Sequence, residues 1–283
     1  MDKYDNLPDI QLTEPDIKVP IAQVGVEGVE VPFLLELMSG GYTELIAKVS
    51  MRTNIEKDVK GISMSRLLLT LNKYLNQPLK HFLIEKILKD FKEKLDSTRS
   101  FLSFEFKIPL MRFSPVSDNK FPMYYNCKFE GQLVDHTFRF FQKVIVQYSS
   151  YCPCSAELCK HLEECGSSGY PHAQRSFAHV LIETKEPNYI WLEDIISSVE
   201  TSMKTLPYPV VKRVDEQRLA EIAGSNPMFV EDAIRRISVD LNKNTKIYDW
   251  YVKCVHNESI HPSDAIAINF KGLENGFNNT TNL

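Results

Sequence analysis

Residues 137–184 read TFRFFQKVIVQYSS (137–150), YCPCSAELCKHLEECGSSGYPHAQR (151–175) and SFAHVLIET (176–184). The first and last pieces are rich in β-branched and aromatic residues, and predict two strands that lie side by side as antiparallel neighbours. The middle piece reads as a surface loop joining them. It opens with Cys152 and Cys154 held one residue apart by Pro153, and closes with His172 beside Gln174 and Arg175. Two thiols and an imidazole suit either a metal site or an activated nucleophile. The spacing distinguishes neither: Cys-X-Cys is tighter than the usual zinc knuckle, and no second matched pair follows. Any further ligands must come from farther along the chain. In an extended segment residues i and i+2 face the same way, so either thiol can reach one metal. Buried thiols also serve as small hydrophobes, and a lone histidine is more often structural than catalytic.

Working outward, the C-terminal side continues with a helix over Leu192–Met203 and a short helical turn near Asp215–Ala223. A longer helix starts at Asn226-Pro227, a capping residue followed by proline, and buries Val230, Ala233, Ile234, Ile237 and Leu241. Lys246–Val255 then alternates Tyr248, Trp250, Val252 and Cys254 against Asp249 and Lys253, and Asp264–Phe270 closes the sheet. The N-terminal side has the same grammar. Ile46–Ile55 is a half-buried strand, Ser65–Leu75 a helix, and after Pro78 a second helix carries Ile84, Ile87, Leu88, Phe91 and Leu95 on one stripe. Phe104, Phe106 and Ile108 alternate with Glu105 and Lys107, and Met123–Leu133 supplies a partner strand across a loop containing Pro115 and Pro122. The expected fold class is α+β: two antiparallel units, 18–134 and 135–272, each with a helix pair on one face, between an extended arm at 1–17 and a frayed polar tail at 273–283. The repeat is one of pattern and not of residues, so a single irregular domain is the alternative.

Composition narrows the class. The 283 residues are 43% hydrophobic and 25% charged, enough for a sizeable core. No stretch reads as a membrane span, and the polar, proline-bearing N-terminus does not read as a signal peptide. The six cysteines are expected to be reduced thiols in the cytoplasm. A formal charge of −4 argues against a general nucleic-acid binder and leaves room for a local phosphate pocket. Lys212-Arg213-Val214-Asp215-Glu216 and Glu231-Asp232 each suit a helix start, and Glu258-Ser259-Ile260-His261 suits a turn after a strand.

Taken together and in order, YCPCS, HAQRS, KRVDE, NPMFVED and NESIH resemble the motifs of the type IB GTP cyclohydrolases, as do PIAQVGVEGVEVP near the N-terminus and GISMSR at 61–66. The resemblance spans residues 7 to 270. It implies two tandem tunnelling-fold units in a homotetramer with active sites between subunits. It also implies hydrolysis of GTP at C8, with formate release and rearrangement to 7,8-dihydroneopterin triphosphate, the first step of folate and pterin biosynthesis. By the same resemblance Cys152, His172 and Glu216 ligate a divalent metal, zinc, manganese or iron, with a fourth position open to water. Cys154 and Glu231 handle protons, Glu258 grips the guanine edge and His261 assists ring opening. Arg66, Arg175, Lys212 and Arg213 are the candidates for the triphosphate.

The chain departs from the family pattern at Ser63, where a histidine is usual, at HAQR in place of His-Asn-Gln-Arg, and in the longer segment Ala156–Pro171. Two alternatives stay open. One is an archaeal-type cyclohydrolase giving a cyclic phosphate, which the opening LPDIQLTEPDIKVP resembles. The other is a non-catalytic binding protein of the same fold stabilised by a metal.

Overall fold

The computed structural model describes residues 10–281 apart from Glu186. The first nine residues of the expected arm and the last two of the tail lie outside the described residues. Within the arm, Ile10–Leu12 form a single 3-10 turn, and its backbone is tied back by Gly61 N–H donating to the Gln11 carbonyl at 3.2 Å.

The strands are β1 (Ile21–Glu36), β2 (Tyr42–Ile55), β3 (Arg99–Phe113), β4 (Lys120–Val134), β5 (Thr137–Tyr151), β6 (Ala173–Thr184), β7 (Ile247–His256) and β8 (Ala265–Phe270). They are hydrogen-bonded in chain order, as expected when each hairpin or helical excursion returns the chain beside the strand it left. Registers such as Val49 opposite Phe104 and Val180 opposite Val252 are antiparallel. The helices are α1 (Met64–Asn72), α2 (His81–Leu95), α3 (Pro153–Glu164), α4 (Leu192–Met203), α5 (Arg213–Gly224) and α6 (Val230–Lys243). The architecture is α+β, as the alternating pattern requires. None of the described helices is long and apolar enough to cross a membrane.

The chain divides into two compact units, Met1–Phe106 with Lys128–Phe140, and Lys107–Cys127 with Phe141–Leu283. In the first, α2 buries Leu83, Ile84, Ile87, Leu88 and Phe91 at the predicted helical spacing. The strands answer with Phe33, Val49, Met51, Leu102 and Phe104, all at most 2% exposed. The β1–β2 pairing slips between Val26 and Val29, and Gly28 at φ +72° supplies the left-handed residue such a bulge needs.

In the second unit, α6 packs on β7, β8 and α4. Its buried stripe of Val230, Ala233, Ile234, Ile237 and Leu241 is the one the spacing predicts. The β3–β4 hairpin end belongs to this unit. Arg112 pairs with Glu200 on α4 through Nη2 at 2.9 Å, and the Tyr125 hydroxyl donates to the same carboxylate. Buried Asp215 at the start of α5 accepts the Val116 and Ser117 N–H groups at 2.9 and 2.8 Å, and its own helix cap through Lys212 N–H at 2.8 Å.

Several sequence expectations are corrected. Residues 151–175 are not simply a loop, because Pro153 at the first helical position starts α3. Helix α6 starts at Val230 and not at Asn226-Pro227. The Asn226 amide donates to the Met203 carbonyl and accepts from Arg236, while the Phe229 N–H is capped by Asp232 at 3.0 Å. The turn near Asp215–Ala223 is a full helix, α5. Pro122 lies inside β4, near the strand's start, where its missing N–H is tolerated. In β7 it is Asp249 that is buried and Tyr248 that is exposed. The reason lies in the tail, which docks instead of fraying: Phe277 packs with Phe141 and Tyr251, and its N–H donates to the Asp249 carboxylate at 2.8 Å. A Cβ on Gly276 would sit 2.2 Å from that carboxylate, so the close approach requires glycine.

Candidate active site

β6 begins where β7 finishes. Ser176 is in register with His256, and pairing runs one step further as Asn257 N–H donates to the Arg175 carbonyl at 3.1 Å. Residues 172–175 therefore lie beside residues 256–258. The start of α3 joins them, since the Cys152 N–H donates to the His172 carbonyl at 3.3 Å. The approach to α6 joins as well, through Met228 N–H donating to the Tyr151 carbonyl at 3.0 Å. Segments far apart in sequence thus meet around a cavity of about 200 Å³ lined by Cys152, Gln174, Phe229, Glu231, His256 and Glu258. That is below the ~300 Å³ at which pockets begin to enclose a whole drug-sized ligand.

A hydrogen-bonded line crosses the site. His172 Nδ1 lies 3.0 Å from Gln174 Oε1, and Gln174 Nε2 donates to Glu258 Oε1 at 3.2 Å. Ser259 Oγ approaches the same Nδ1 at 3.4 Å. The Glu258 turn is closed by the Asn257 amide donating to Asp264 at 2.8 Å. Below the cavity, His256 Nε2 meets the Tyr148 hydroxyl at 3.0 Å. Burial pushes the His256 imidazole down to about 4, against the opposing pull of the Glu231 carboxylate, so it is neutral near pH 7. Burial likewise pushes the neighbouring Cys254 thiol up to about 12, which marks it as an inert core thiol.

The candidate residues divide as follows. Cys152, Glu231 and Glu258 share the cavity wall, and His172 is tied to that wall through Gln174. Cys152 is the N-cap of α3 and half-buried, whereas Cys154 is exposed on the helix's first turn, so the extended geometry expected for the pair does not hold. Glu216 is exposed on the first turn of α5, next to buried Asp215. His261 is exposed beyond Glu258. Arg175, Lys212 and Arg213 are exposed in the second unit, and Arg66 is exposed on α1 in the first. For a metal, Cys152 and His172 have suitable donor chemistry, and Gln174 at Nδ1 leaves Nε2 as the imidazole nitrogen for an ion. Among the described residues no group of three His, Cys, Asp or Glu side chains is gathered where one ion could be held. Sequence reasoning passed over Gln174 and His256 as site residues. Each stands two positions from a named candidate along a strand or its extension, and the period of two puts such residues on one face.

Comparison with known proteins gives the family of the chain. Residues 7–267 match the family model described as type I GTP cyclohydrolase folE2. The chain belongs to the type I GTP cyclohydrolase FolE2 family. GTP cyclohydrolase FolE2 of Geobacter sp. strain M21 is 34% identical to it over 265 residues, covering 94% of this chain and 95% of the relative. The FolE2 of Syntrophus aciditrophicus is 33% identical over 262 residues, covering 92% and 97%. Uricase from Arthrobacter globiformis has the same fold, with a TM-score of 0.55 at 5% identity over 94% of this chain and 98% of the uricase. At that identity the likeness to uricase is of fold alone, and it agrees with the tunnelling-type α+β architecture expected of the FolE2 family.

Proposed function

We propose that this FolE2 family member hydrolyses GTP at C8, releases formate and yields 7,8-dihydroneopterin triphosphate in folate biosynthesis. The observation that carries the reading is the shared cavity of Cys152, Glu231 and Glu258, in a chain matched by the family over residues 7–267. The reaction balances as GTP plus one water giving the pterin triphosphate plus formate. Glu258 accepts the guanine N1–H and 2-amino group on its two carboxylate oxygens. Glu231, on the cavity wall, and Cys154, at the head of α3, move protons during addition at C8 and ring opening, and His261 assists the opening. Cationic side chains hold the triphosphate, and Arg66, Arg175, Lys212 and Arg213 are the candidates.

Cys152, His172 and Glu216 are the residues assigned to a divalent zinc, manganese or iron ion. Such an ion supplies Lewis acidity toward water near neutral pH. The donor types support this assignment, one thiolate, one imidazole and one carboxylate, together with the contact between the Cys152 and His172 backbones. Repeating units at 18–134 and 135–272, a homotetramer with active sites between subunits, and a cytoplasmic location complete the reading. Strand β8 supports assembly, since it ends the hydrogen-bonded order and carries exposed Ile266 and Ile268.

The test is incubation of metal-replete protein with GTP, following formate and pterin fluorescence. Equal yields of the two are expected. Unchanged GTP in protein that holds stoichiometric metal would overturn the reading.

A further inference from the structure

Gln174 is 7% exposed, and its side chain ends between two groups with different demands. Glu258 Oε1 stands 3.2 Å from its nitrogen and His172 Nδ1 stands 3.0 Å from its oxygen. The amide turns its NH₂ toward Glu258, whose Oε1 accepts from it. Its carbonyl then faces His172, and a carbonyl only accepts, so Nδ1 must carry the imidazole proton. The lone pair is left on Nε2. Without the amide, His172 and Glu258 do not meet, because Nδ1 and Oε2 are 3.9 Å apart, too far for a hydrogen bond.

We propose that Gln174 is a positioning residue that fixes the tautomer of His172 and the orientation of Glu258 with one side-chain amide. The proposal rests on reading His172 as a metal ligand and Glu258 as the guanine acceptor. It couples the two sites: whatever turns the amide disturbs metal and base together. Its place in the fold favours such a role. Gln174 is the second residue of β6, next to the Asn257–Arg175 hydrogen bond and the Ser176–His256 register, so its backbone belongs to a strand and not to a loop.

The test uses full-length protein with two near-isosteric variants, measuring zinc affinity by chelator competition and GTP affinity on metal-stripped protein, where no turnover occurs. Gln174→Met removes both hydrogen bonds and is expected to weaken zinc by about 10- to 100-fold and GTP by about tenfold. Gln174→Glu still accepts from His172 but offers Glu258 a like charge. It is expected to hold zinc within about threefold of wild type while losing GTP by tenfold or more. A residue with only a packing role would not separate the two affinities. Equal loss of zinc in both variants, or both affinities within about twofold of wild type in Gln174→Met, would overturn the proposal. If Gln174→Met does not fold, the split in Gln174→Glu decides alone. Absence of formate release by the wild type would instead count against the proposed function, because neither affinity depends on turnover.

Discussion

Cys152 and Cys154 show how one residue of separation changes chemistry once a helix begins between them. Cys152, the N-cap, lines the cavity, whereas Cys154 is exposed and outside its wall. Cys152→Ala is therefore expected to abolish metal binding and turnover; Cys154→Ala is expected to keep the metal and, by the proton-handling role proposed for that thiol, to lose most of the turnover. Metal stoichiometry beside single-turnover formate release checks both, and the reverse pattern would exchange their roles. Asp215 carries a second prediction. It is desolvated, but the hydrogen bonds from Ser117, Lys212 and Val116 outweigh this and hold its carboxyl well below the usual range. A depressed folded-state value means its contribution to stability is present above the unfolded value of about 3.9 and is lost as pH falls through the folded one. The Tm difference between wild type and Asp215→Asn should thus be largest near neutral pH and shrink steadily below about pH 4. Residue types were legible in the sequence for most of the candidate site. The links among them were not, because His172, Gln174 and Glu258 join only when β6 and β7 pair, and nothing local in the chain records that register.

At the scale of elements, long periodic segments were read well and their ends poorly. The stripes of α2 and α6 followed the helical period because each must bury one face on strands. The start of α6 was misplaced because Asn226 had non-local partners, the Met203 carbonyl and Arg236, that no capping rule anticipates. Helix α3 was missed because its mean pattern is polar and none of its residues is buried. Burial and not composition also decides mutational cost on α6. Ile237 is 1% exposed and Val239 is 54% exposed. Ile237→Ala should cost about 2–5 kcal/mol, and Val239→Ala about 0.5 kcal/mol or less. Chemical denaturation of the two variants checks this, and equal losses would show that the stripe does not carry the packing.

At the scale of the molecule, the tail and the hairpin show what pattern reading misses, since both dock through contacts distant in sequence. Phe277 is 8% exposed and covers Asp249 beside Phe141 and Tyr251. Phe277→Ala should lower the stability of the second unit by about 3 kcal/mol, read as a shift of its thermal midpoint. An unshifted midpoint would mean the tail rests on the unit without supporting it. The hairpin end has the wider consequence. Lys107–Cys127 precedes the rest of its unit in sequence, yet it supplies Arg112, Tyr125 and Ser117 to Glu200 and Asp215. Recombination between this gene and that of a relative therefore has disruptive breakpoints. A crossover near residue 135 inherits loop 114–119 from one parent and α5 from the other, so the progeny must match two lineages at Asp215. A crossover just before residue 107 keeps the hairpin end with its partners but parts Met1–Phe106 from Lys128–Phe140, so each of these breakpoints mismatches a different unit, and natural or laboratory shuffling should recover either chimera rarely.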